Sequence, residues 1–201
     1  LQLLRFSLDR DPLSQSGAPV VTVGPAQIVP PPGAFLQASA VAEAAIAERA
    51  VAAFGKRARQ AADLFCGVGA FSFALAARAK VLAVDNEQAA LEALEQAKRR
   101  TQGVRAIETR LRDLFQEPLS RKELDAFDLV LFDPPRAGAK DQASMLAKSK
   151  VPVVVAVSCN PATLARDLRI MIDGGYRLER VTPIDQFLFT HHVEVVAVLR
   201  R

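Results

Sequence analysis

The middle of the chain alternates between short apolar runs and amphipathic, helix-like segments, and this alternation restricts the possible folds more than any other feature. The run at 80–85, "KVLAVD", precedes a helical pattern at 87–100, and the run at 151–157, "VPVVVAV", precedes another at 161–172. Such β-branched runs between helices predict buried parallel strands. The last two apolar runs, "YRLERVTPIDQF" and "HVEVVAVLR", have no helical segment between them. We therefore predict an α/β domain with a mostly parallel sheet, one antiparallel strand in a C-terminal hairpin, and helices on both faces.

The first 31 residues follow a different pattern. They contain two strand-like runs, "LQLLRFSL" and "PVVTVG", with a polar segment between them that we interpret as a loop, and they lead into a proline-rich connector, "VPPPGAF". We predict that residues 1–31 are the tail of a preceding β-rich domain and that residues 32–201 form the α/β domain. A segment of that length can bury a full hydrophobic core.

Composition narrows the class of protein. No apolar run approaches the roughly 18 residues that span a bilayer, and the N-terminus does not have the pattern of a signal peptide. Two cysteines exclude a disulfide scaffold and a multi-cysteine metal site, and they fit a reducing compartment, so we expect a cytoplasmic protein without a metal in this chain. The 26 basic and 22 acidic residues give a net charge of +4, which is compatible with a polyanionic partner without demonstrating one.

Cys159 stands at the end of an apolar strand and directly before a predicted helix. Asn160 suits the N-cap of that helix, and Pro161 suits its first turn. The unpaired N–H groups of a helix N-terminus favour a nearby thiolate, so Cys159 is a candidate nucleophile. The alternative is a buried cysteine that acts only as a small hydrophobic residue.

A glycine-containing turn, "CGVGA", joins a predicted strand to a predicted helix. Gly67 and Gly69 fit the nucleotide-binding turn of open α/β sheets, and Asp85 at the tip of the next strand can accept hydrogen bonds from a ribose. Phe73 occupies the place of the third glycine of a dinucleotide fingerprint. This favours a nucleoside cofactor without pyrophosphate, and S-adenosylmethionine fits best. The alternative for Asp85 is a solvated carboxylate.

Two more acidic residues follow predicted strands, where ligands of open α/β sheets bind. They are Asp113, in "LRDLF", and Asp133, in "DPPR". The second motif resembles the Asp-Pro-Pro-Tyr motif of amino-group methyltransferases, but its fourth residue is Arg136. An arginine suits a phosphate or stacking with charge, and the alternative is an ordinary surface arginine.

Four motifs in this order, "DLFCGVGAFSFALA", "DPPRAG", "SCNPATLARDL" and "HHVEVVAVL", closely resemble those of the RNA uridine-C5 (5-methyluridine) methyltransferases. The segment "PGAFLQAS" at 32–39 also resembles the one that supplies a glutamine to the cofactor in that family. The resemblance runs from about residue 30 to the C-terminus. It implies a class I, Rossmann-like methyltransferase domain that uses S-adenosylmethionine to form 5-methyluridine in rRNA or tRNA.

The resemblance also implies roles for individual residues. Cys159 would be the nucleophile that adds to C6 of uracil, and Glu194 the base that removes the C5 proton. Asp133 would lie beside the methyl-bearing end of the cofactor. The S-adenosylmethionine pocket would further be lined by Gln37, Phe65, Gly67, Gly69, Asp85 and Asp113.

Several alternatives remain open at this point. Glu194 also fits a simple pairing role with His191 or His192. Arg166 and Arg169 lie one helical turn apart and are candidates for RNA phosphate contacts, but they also fit a solvated helix face. An amino-group methyltransferase of nucleic acid would need no thiol. A non-catalytic fragment would bind S-adenosylmethionine and turn nothing over without an RNA-binding domain.

Overall fold

The computed structural model describes residues 3–190 and 192–201, which form eleven strands and six helices. Leu1 and Gln2, in the predicted strand "LQLLRFSL", and His191 lie outside the described residues. The strands are β1 (Arg5–Leu8), β2 (Asp11–Gln15), β3 (Val21–Val23), β4 (Ala26–Ile28), β5 (Gln60–Leu64), β6 (Lys80–Asp85), β7 (Ile107–Leu111), β8 (Leu129–Phe132), β9 (Val153–Ser158), β10 (Arg177–Ile184) and β11 (Glu194–Arg200). The helices are α1 (Ala40–Ala52), α2 (Ser72–Ala76), α3 (Gln88–Arg100), α4 (Arg121–Leu124), α5 (Lys140–Lys148) and α6 (Pro161–Asp173).

The central sheet contains seven of the described strands, in the order β10-β11-β9-β8-β5-β6-β7. The pairs from β9 to β7 are parallel, whereas β11 runs antiparallel to both β9 and β10. This confirms the predicted mostly parallel sheet with one antiparallel strand in a C-terminal hairpin. The strand order reverses between β5 and β8, and the carboxyl ends of strands beside such a reversal form a crevice where ligands bind.

Helices cover both faces of this sheet, as predicted, because successive residues of its buried strands point in opposite directions. In β5, Ala61 packs in one core cluster with α1, α2 and α3, and Ala62 packs in a second cluster with α4, α5 and α6. Strands β8 and β9 are buried along their whole length. Among the described residues no helix combines the length and apolarity needed to cross a bilayer.

The N-terminal residues form two small hairpins. Strands β1 and β2 pair antiparallel, and so do β3 and β4. The prediction of a loop over the β2 segment was wrong: Asp9 and Arg10, both with positive φ, make a tight turn that returns the chain along β1. Strand β2 is exposed at every residue, so its backbone pairing leaves no hydrophobic pattern in the sequence. Val23 and Ile28, by contrast, are buried in the core cluster that also contains α1.

Gly69 is the position in the turn after β5 where a side chain is least tolerated. Its φ is +94°, and an added Cβ would lie 2.7 Å from Leu94 Cδ1. We expect Gly69→Ala to lower the free energy of unfolding by about 3 kcal/mol, since backbone strain and overpacking each cost about 1–3 kcal/mol. Thermal unfolding measures this as a fall in Tm of roughly 6–12 °C.

The control is Gly55→Ala, because an added Cβ at Gly55 has no atom within 4 Å and no left-handed φ to strain. Its Tm should stay close to that of the parent chain. Equal Tm values for the two variants would contradict the close packing of this turn against α3.

Candidate active site

A cavity of about 510 Å³ lies beside the strand-order reversal, at the carboxyl ends of β5, β6, β8 and β9. It brings together most of the residues that the sequence singled out, although they come from distant parts of the chain. These are Gln37, Phe65, Gly67, Asp85, Asp113, Asp133, Arg136, Cys159 and Glu194. Gly69, Arg166 and Arg169 are not among its lining residues. The lining also includes three aromatic residues that the sequence interpretation missed: Phe35, Phe115 and Phe187.

Asp85 organises the glycine turn. One oxygen of its carboxylate accepts a hydrogen bond from Gly67 N at 2.8 Å, and the other accepts from Glu87 N at 2.9 Å. Phe65 and Gly67 both adopt positive φ, so the backbone turns sharply as it leaves β5. Each carboxylate oxygen retains a further lone pair, so Asp85 can still accept hydrogen bonds from a ligand in the cavity.

An aromatic pair stands next to this turn. The rings of Phe65 and Phe115 have centroids 5.3 Å apart and are inclined at 52°. Asp113 accepts a hydrogen bond from Phe115 N at 2.9 Å, which fixes the loop that follows β7. A carboxylate beside two rings suits a flat heterocycle with a donor group on its edge. Phe115 directly follows "RDL" in the sequence, but nothing in that pattern indicates that its ring faces Phe65.

Cys66 lies in the same turn but belongs to the core. Its thiol is buried, and its weak hydrogen bond goes to Gly67 O at 3.6 Å. Burial raises the pKa of this thiol well above its ordinary value, and the nearby Asp63 and Asp85 carboxylates raise it further. Cys66 therefore stays protonated and is unsuited to be a nucleophile.

Cys159 follows β9 and precedes α6, as the sequence predicts. Asn160 is the N-cap of α6, where its side chain accepts a hydrogen bond from Ala162 N at 3.1 Å, and Pro161 is the first helical residue. Asn160 Nδ2 also donates to Arg136 O at 3.0 Å, which ties the "DPPR" loop to the start of the helix. The half-buried Cys159 thus faces the cavity from a rigid strand-to-helix connection.

Glu194 begins β11, on the neighbouring strand. Val195 pairs with Ser158, so Glu194 lies beside the end of β9 at which Cys159 follows. The Glu194 side chain is only 3% exposed, and Oε2 accepts a hydrogen bond from Gln186 Nε2 at 2.8 Å. Oε1 has no hydrogen-bond partner among the described residues. Burial raises the pKa of this carboxyl group, and the Gln186 hydrogen bond opposes that rise.

Asp133 follows β8 and faces the same cavity. Its Oδ2 accepts a hydrogen bond from Gln37 Nε2 at 2.9 Å. Burial raises the pKa of Asp133 well above its ordinary value, and the like charges of Glu194 and Asp63 add to the rise. A cation bound beside this cluster would favour the ionised carboxylates, so this end of the cavity suits a positively charged group.

Arg136 lines the cavity mouth and is exposed. Its Nη2 lies 3.0 Å from His192 Nε2, and His192 in turn packs edge-on against Phe187. In the structure Glu194 bonds Gln186, while His192 contacts Arg136. The predicted pairing with His191 falls on a residue outside the described part of the chain.

The two arginines of α6 lie outside this cavity and pair within the chain. Arg166 donates to Asp167 Oδ1 at 2.9 Å and to Ala137 O at 3.0 Å, so it supports the loop after β8. Arg169 pairs with Asp173. A contact of either residue with RNA phosphate stays a prediction.

Asp63 is a buried acid near the carboxyl end of β5. Its Oδ2 accepts a 2.6 Å hydrogen bond from Ser72 Oγ, and Oδ1 has no partner in the described chain. Burial raises the pKa of Asp63 to about 7. From about pH 4 to about pH 7 the folded chain therefore keeps a proton that the unfolded chain releases, and the free energy of unfolding falls as pH rises through this window. The full fall is at most about 4 kcal/mol.

We expect Asp63→Asn to remove this part of the pH dependence, because an amide oxygen still accepts from Ser72 but does not titrate. Denaturant unfolding at about pH 5 and about pH 8 should show a smaller loss of stability for the variant than for the parent chain. Glu48→Gln, at an exposed helix position, is the control and should behave as the parent does. An unchanged loss in Asp63→Asn would contradict the raised pKa.

Comparisons with known proteins agree with the family resemblance noted in the sequence. A family model described as tRNA (Uracil-5-)-methyltransferase matches residues 28–201. An RNA methyltransferase of Mesorhizobium japonicum, described as uncharacterized, is 53% identical over 97% of this chain and 47% of its own length. A 23S rRNA (uracil(1939)-C(5))-methyltransferase of Pseudomonas putida is 40% identical over 83% of this chain and 37% of its own length.

Among solved structures, the tRNA (uracil-54, C5)-methyltransferase of Pyrococcus abyssi, in complex with S-adenosyl-L-homocysteine, superposes with a TM-score of 0.80. It is 28% identical, and the match covers 94% of this chain and 46% of that one. The chain thus spans less than half the length of these curated relatives. The family match confirms the resemblance noted in the sequence: the chain belongs to the tRNA (uracil-5-)-methyltransferase family.

Proposed function

We propose that this chain is the catalytic part of an S-adenosylmethionine-dependent RNA methyltransferase that forms 5-methyluridine in rRNA or tRNA through a cysteine adduct. One observation carries the proposal: a single cavity holds Cys159 at a helix start, the buried Glu194 with an unpartnered oxygen, and Asp133. The family membership supports it, as do relatives described as acting on uracil C5 of 23S rRNA and of tRNA. These relatives do not favour amino-group methylation.

The cavity residues fit S-adenosylmethionine. Asp85 beside the glycine turn suits the ribose hydroxyls, and Asp113 with the Phe65–Phe115 pair suits the adenine. The acidic end formed by Asp133 suits the positive sulfonium. When bound, S-adenosylmethionine supplies the methyl group.

Cys159 would activate the uracil ring. Its thiolate forms a bond to C6, and the electron pair of the C5=C6 double bond moves toward C5 and the C4 carbonyl oxygen. C5 thereby becomes nucleophilic enough to accept a methyl group. Cys159 directly precedes the N-terminus of α6, and the positive end of a helix dipole stabilises negative charge that develops nearby.

Glu194 would complete the reaction. After methylation C5 carries both a proton and the methyl group, and Glu194 accepts that proton. The electron pair of the C5–H bond re-forms the C5=C6 double bond, and the C6–S bond breaks to regenerate the thiolate. The burial that raises the pKa of Glu194 makes its carboxylate a stronger base than an exposed one.

The proposed catalytic domain comprises residues 32–201. The preceding strands β3 and β4 contribute Val23, Ala26 and Ile28 to the core that also contains α1 and α3. The N-terminal hairpins thus contact the proposed catalytic domain directly. The predicted role of residues 1–31 as the tail of a preceding β-rich domain stays a prediction.

Transcripts of 23S rRNA and of tRNA carrying tritium at uridine C5 test the proposal. With S-adenosylmethionine, the chain should release tritium to water in equal amount to the methyl groups incorporated, and digestion should yield 5-methyluridine. Methylation without tritium release would indicate an amino-group target. Cofactor binding without either product would indicate the non-catalytic fragment.

A further inference from the structure

Gln186 lies between β10 and β11, close to the cavity but outside the set of residues that the sequence singled out. Its Nε2 donates two hydrogen bonds, one to Glu194 Oε2 at 2.8 Å and one to Gln37 Oε1 at 3.1 Å. Both N–H bonds of the amide are therefore used. Gln186 is half-buried, so these contacts are partly shielded from water.

The contacts fix the orientation of the amide. Exchanging its oxygen and nitrogen would place a carbonyl oxygen against the Glu194 carboxylate and against the Gln37 carbonyl oxygen, which are both acceptors. In the observed orientation Gln186 Oε1 is buried without a partner among the described residues. A buried acceptor without a partner is unfavourable, so the two donated bonds evidently decide the arrangement.

These bonds connect the two acidic groups of the site. Gln37 Nε2 donates to Asp133 Oδ2 at 2.9 Å, so a continuous series of hydrogen bonds runs from Asp133 through Gln37 and Gln186 to Glu194. Gln37 precedes α1, Asp133 follows β8, and Glu194 begins β11. The Gln186 amide thus joins the β10–β11 connection to Gln37, which lines the cavity.

We propose that Gln186 is a positioning residue that holds Glu194 in place to remove the C5 proton and links it to Gln37 and Asp133. This inference rests on the proposed function, because it assigns Gln186 a part in the proton-removal step of that reaction. Gln186 does not line the cavity, so it would act through Glu194 and not by touching the substrate.

The surroundings of Glu194 explain why a donor matters there. Apart from Glu194, the titratable and charged residues that line the cavity are Asp85 and Glu87 at the end of β6, Asp113 after β7, Asp133 and Arg136 after β8, and Cys159 after β9. His192 contacts Arg136. Burial disfavours the ionised form of Glu194 and so raises its pKa. The Gln186 N–H favours the ionised carboxylate, which is the form that accepts a proton.

The test is Gln186→Met, which keeps the length of the side chain and removes both donors. With uridine-containing 23S rRNA and tRNA transcripts and S-adenosylmethionine, the covalent methylated RNA adduct should persist, and its resolution should slow about tenfold near neutral pH. Raising the pH should restore much of the rate, because more Glu194 is then ionised. The KM for S-adenosylmethionine should change much less than the rate of adduct resolution.

Two further variants make the test decisive. Gln102→Met, on an exposed loop, is the matched control and should resolve the adduct as the parent chain does. Gln186→Asn retains an amide that is too short to reach both partners, so its effect should be intermediate. The inference would be overturned if Gln186→Met resolved the adduct at the parent rate. It would also be overturned if the activity of Gln186→Met fell equally at every pH and no adduct accumulated. A parent chain that methylates no uridine C5 would count against the proposed function instead.

Discussion

Replacing Cys159 by alanine should reduce methyl transfer to uridine by about four orders of magnitude or more, which is the effect expected when a covalent nucleophile is removed. Without thiolate addition at C6, C5 of uracil is too weak a nucleophile to accept a methyl group. Binding of S-adenosylmethionine should change little, because Cys159 is not among the residues assigned to the cofactor, such as Asp85 beside the glycine turn and Asp113 after β7. Single-turnover transfer of labelled methyl groups and calorimetric cofactor binding measure the two effects.

The second cysteine provides the matched control. Cys66 is buried in the turn after β5 and has a raised pKa, so Cys66→Ala should lower stability modestly and keep methyl transfer within a few-fold of the parent chain. If Cys159→Ala retained activity, the chemistry would need no thiol, and an amino-group target would have to be considered again.

Replacing Glu194 by glutamine should stop the reaction after methyl transfer. Turnover should fall by about three orders of magnitude, within the range that a general base contributes, because an amide cannot accept the C5 proton. The methylated RNA should then remain attached to Cys159. A denaturing gel would show the labelled methyl group, the RNA and the protein migrating together.

Two control variants make the Glu194 experiment specific. Glu108→Gln, at an exposed position of β7, should turn over as the parent chain does. In the double variant with Cys159→Ala the adduct should disappear. Multiple turnovers by Glu194→Gln at the parent rate would show that another group removes the C5 proton.

The sequence predicts the centre of the sheet well because the strands there are buried on both faces. Strands β8 and β9 are therefore nearly continuous apolar runs that are easily distinguished from the amphipathic helices beside them. Parallel strands end at one edge of a sheet, so Asp85, Asp133 and Cys159 are expected to converge although they are far apart in the chain. The structure brings all three to one cavity.

The sequence alone does not predict contacts between the side chains of loops. Nothing in "IDQFLF" indicates that Gln186 turns toward Gln37, because the contact depends on how the β10–β11 connection folds over the sheet. The short helix α4 was missed because one turn, stabilised by the Ser120–Glu123 capping box, leaves little periodicity.

The spacing of Arg166 and Arg169 indicated that both side chains lie on one face of the same helix. In the structure, however, both residues pair with acids of the same helix. Asp167 accepts from Arg166, and Asp173 lies one turn after Arg169. These acidic partners were visible in the sequence and weaken the interpretation of that face as free positive charge.

The most direct test of the cysteine-adduct mechanism uses RNA with 5-fluorouridine in place of uridine, together with S-adenosylmethionine and the chain, followed by denaturing mass spectrometry. Fluorine at C5 cannot leave as a proton does, so the reaction should stop as a methylated RNA joined to the protein. The adduct should lie on the peptide that contains Cys159, and it should be absent in Cys159→Ala. Methylated RNA without any adduct, or an adduct on Cys66, would contradict this mechanism.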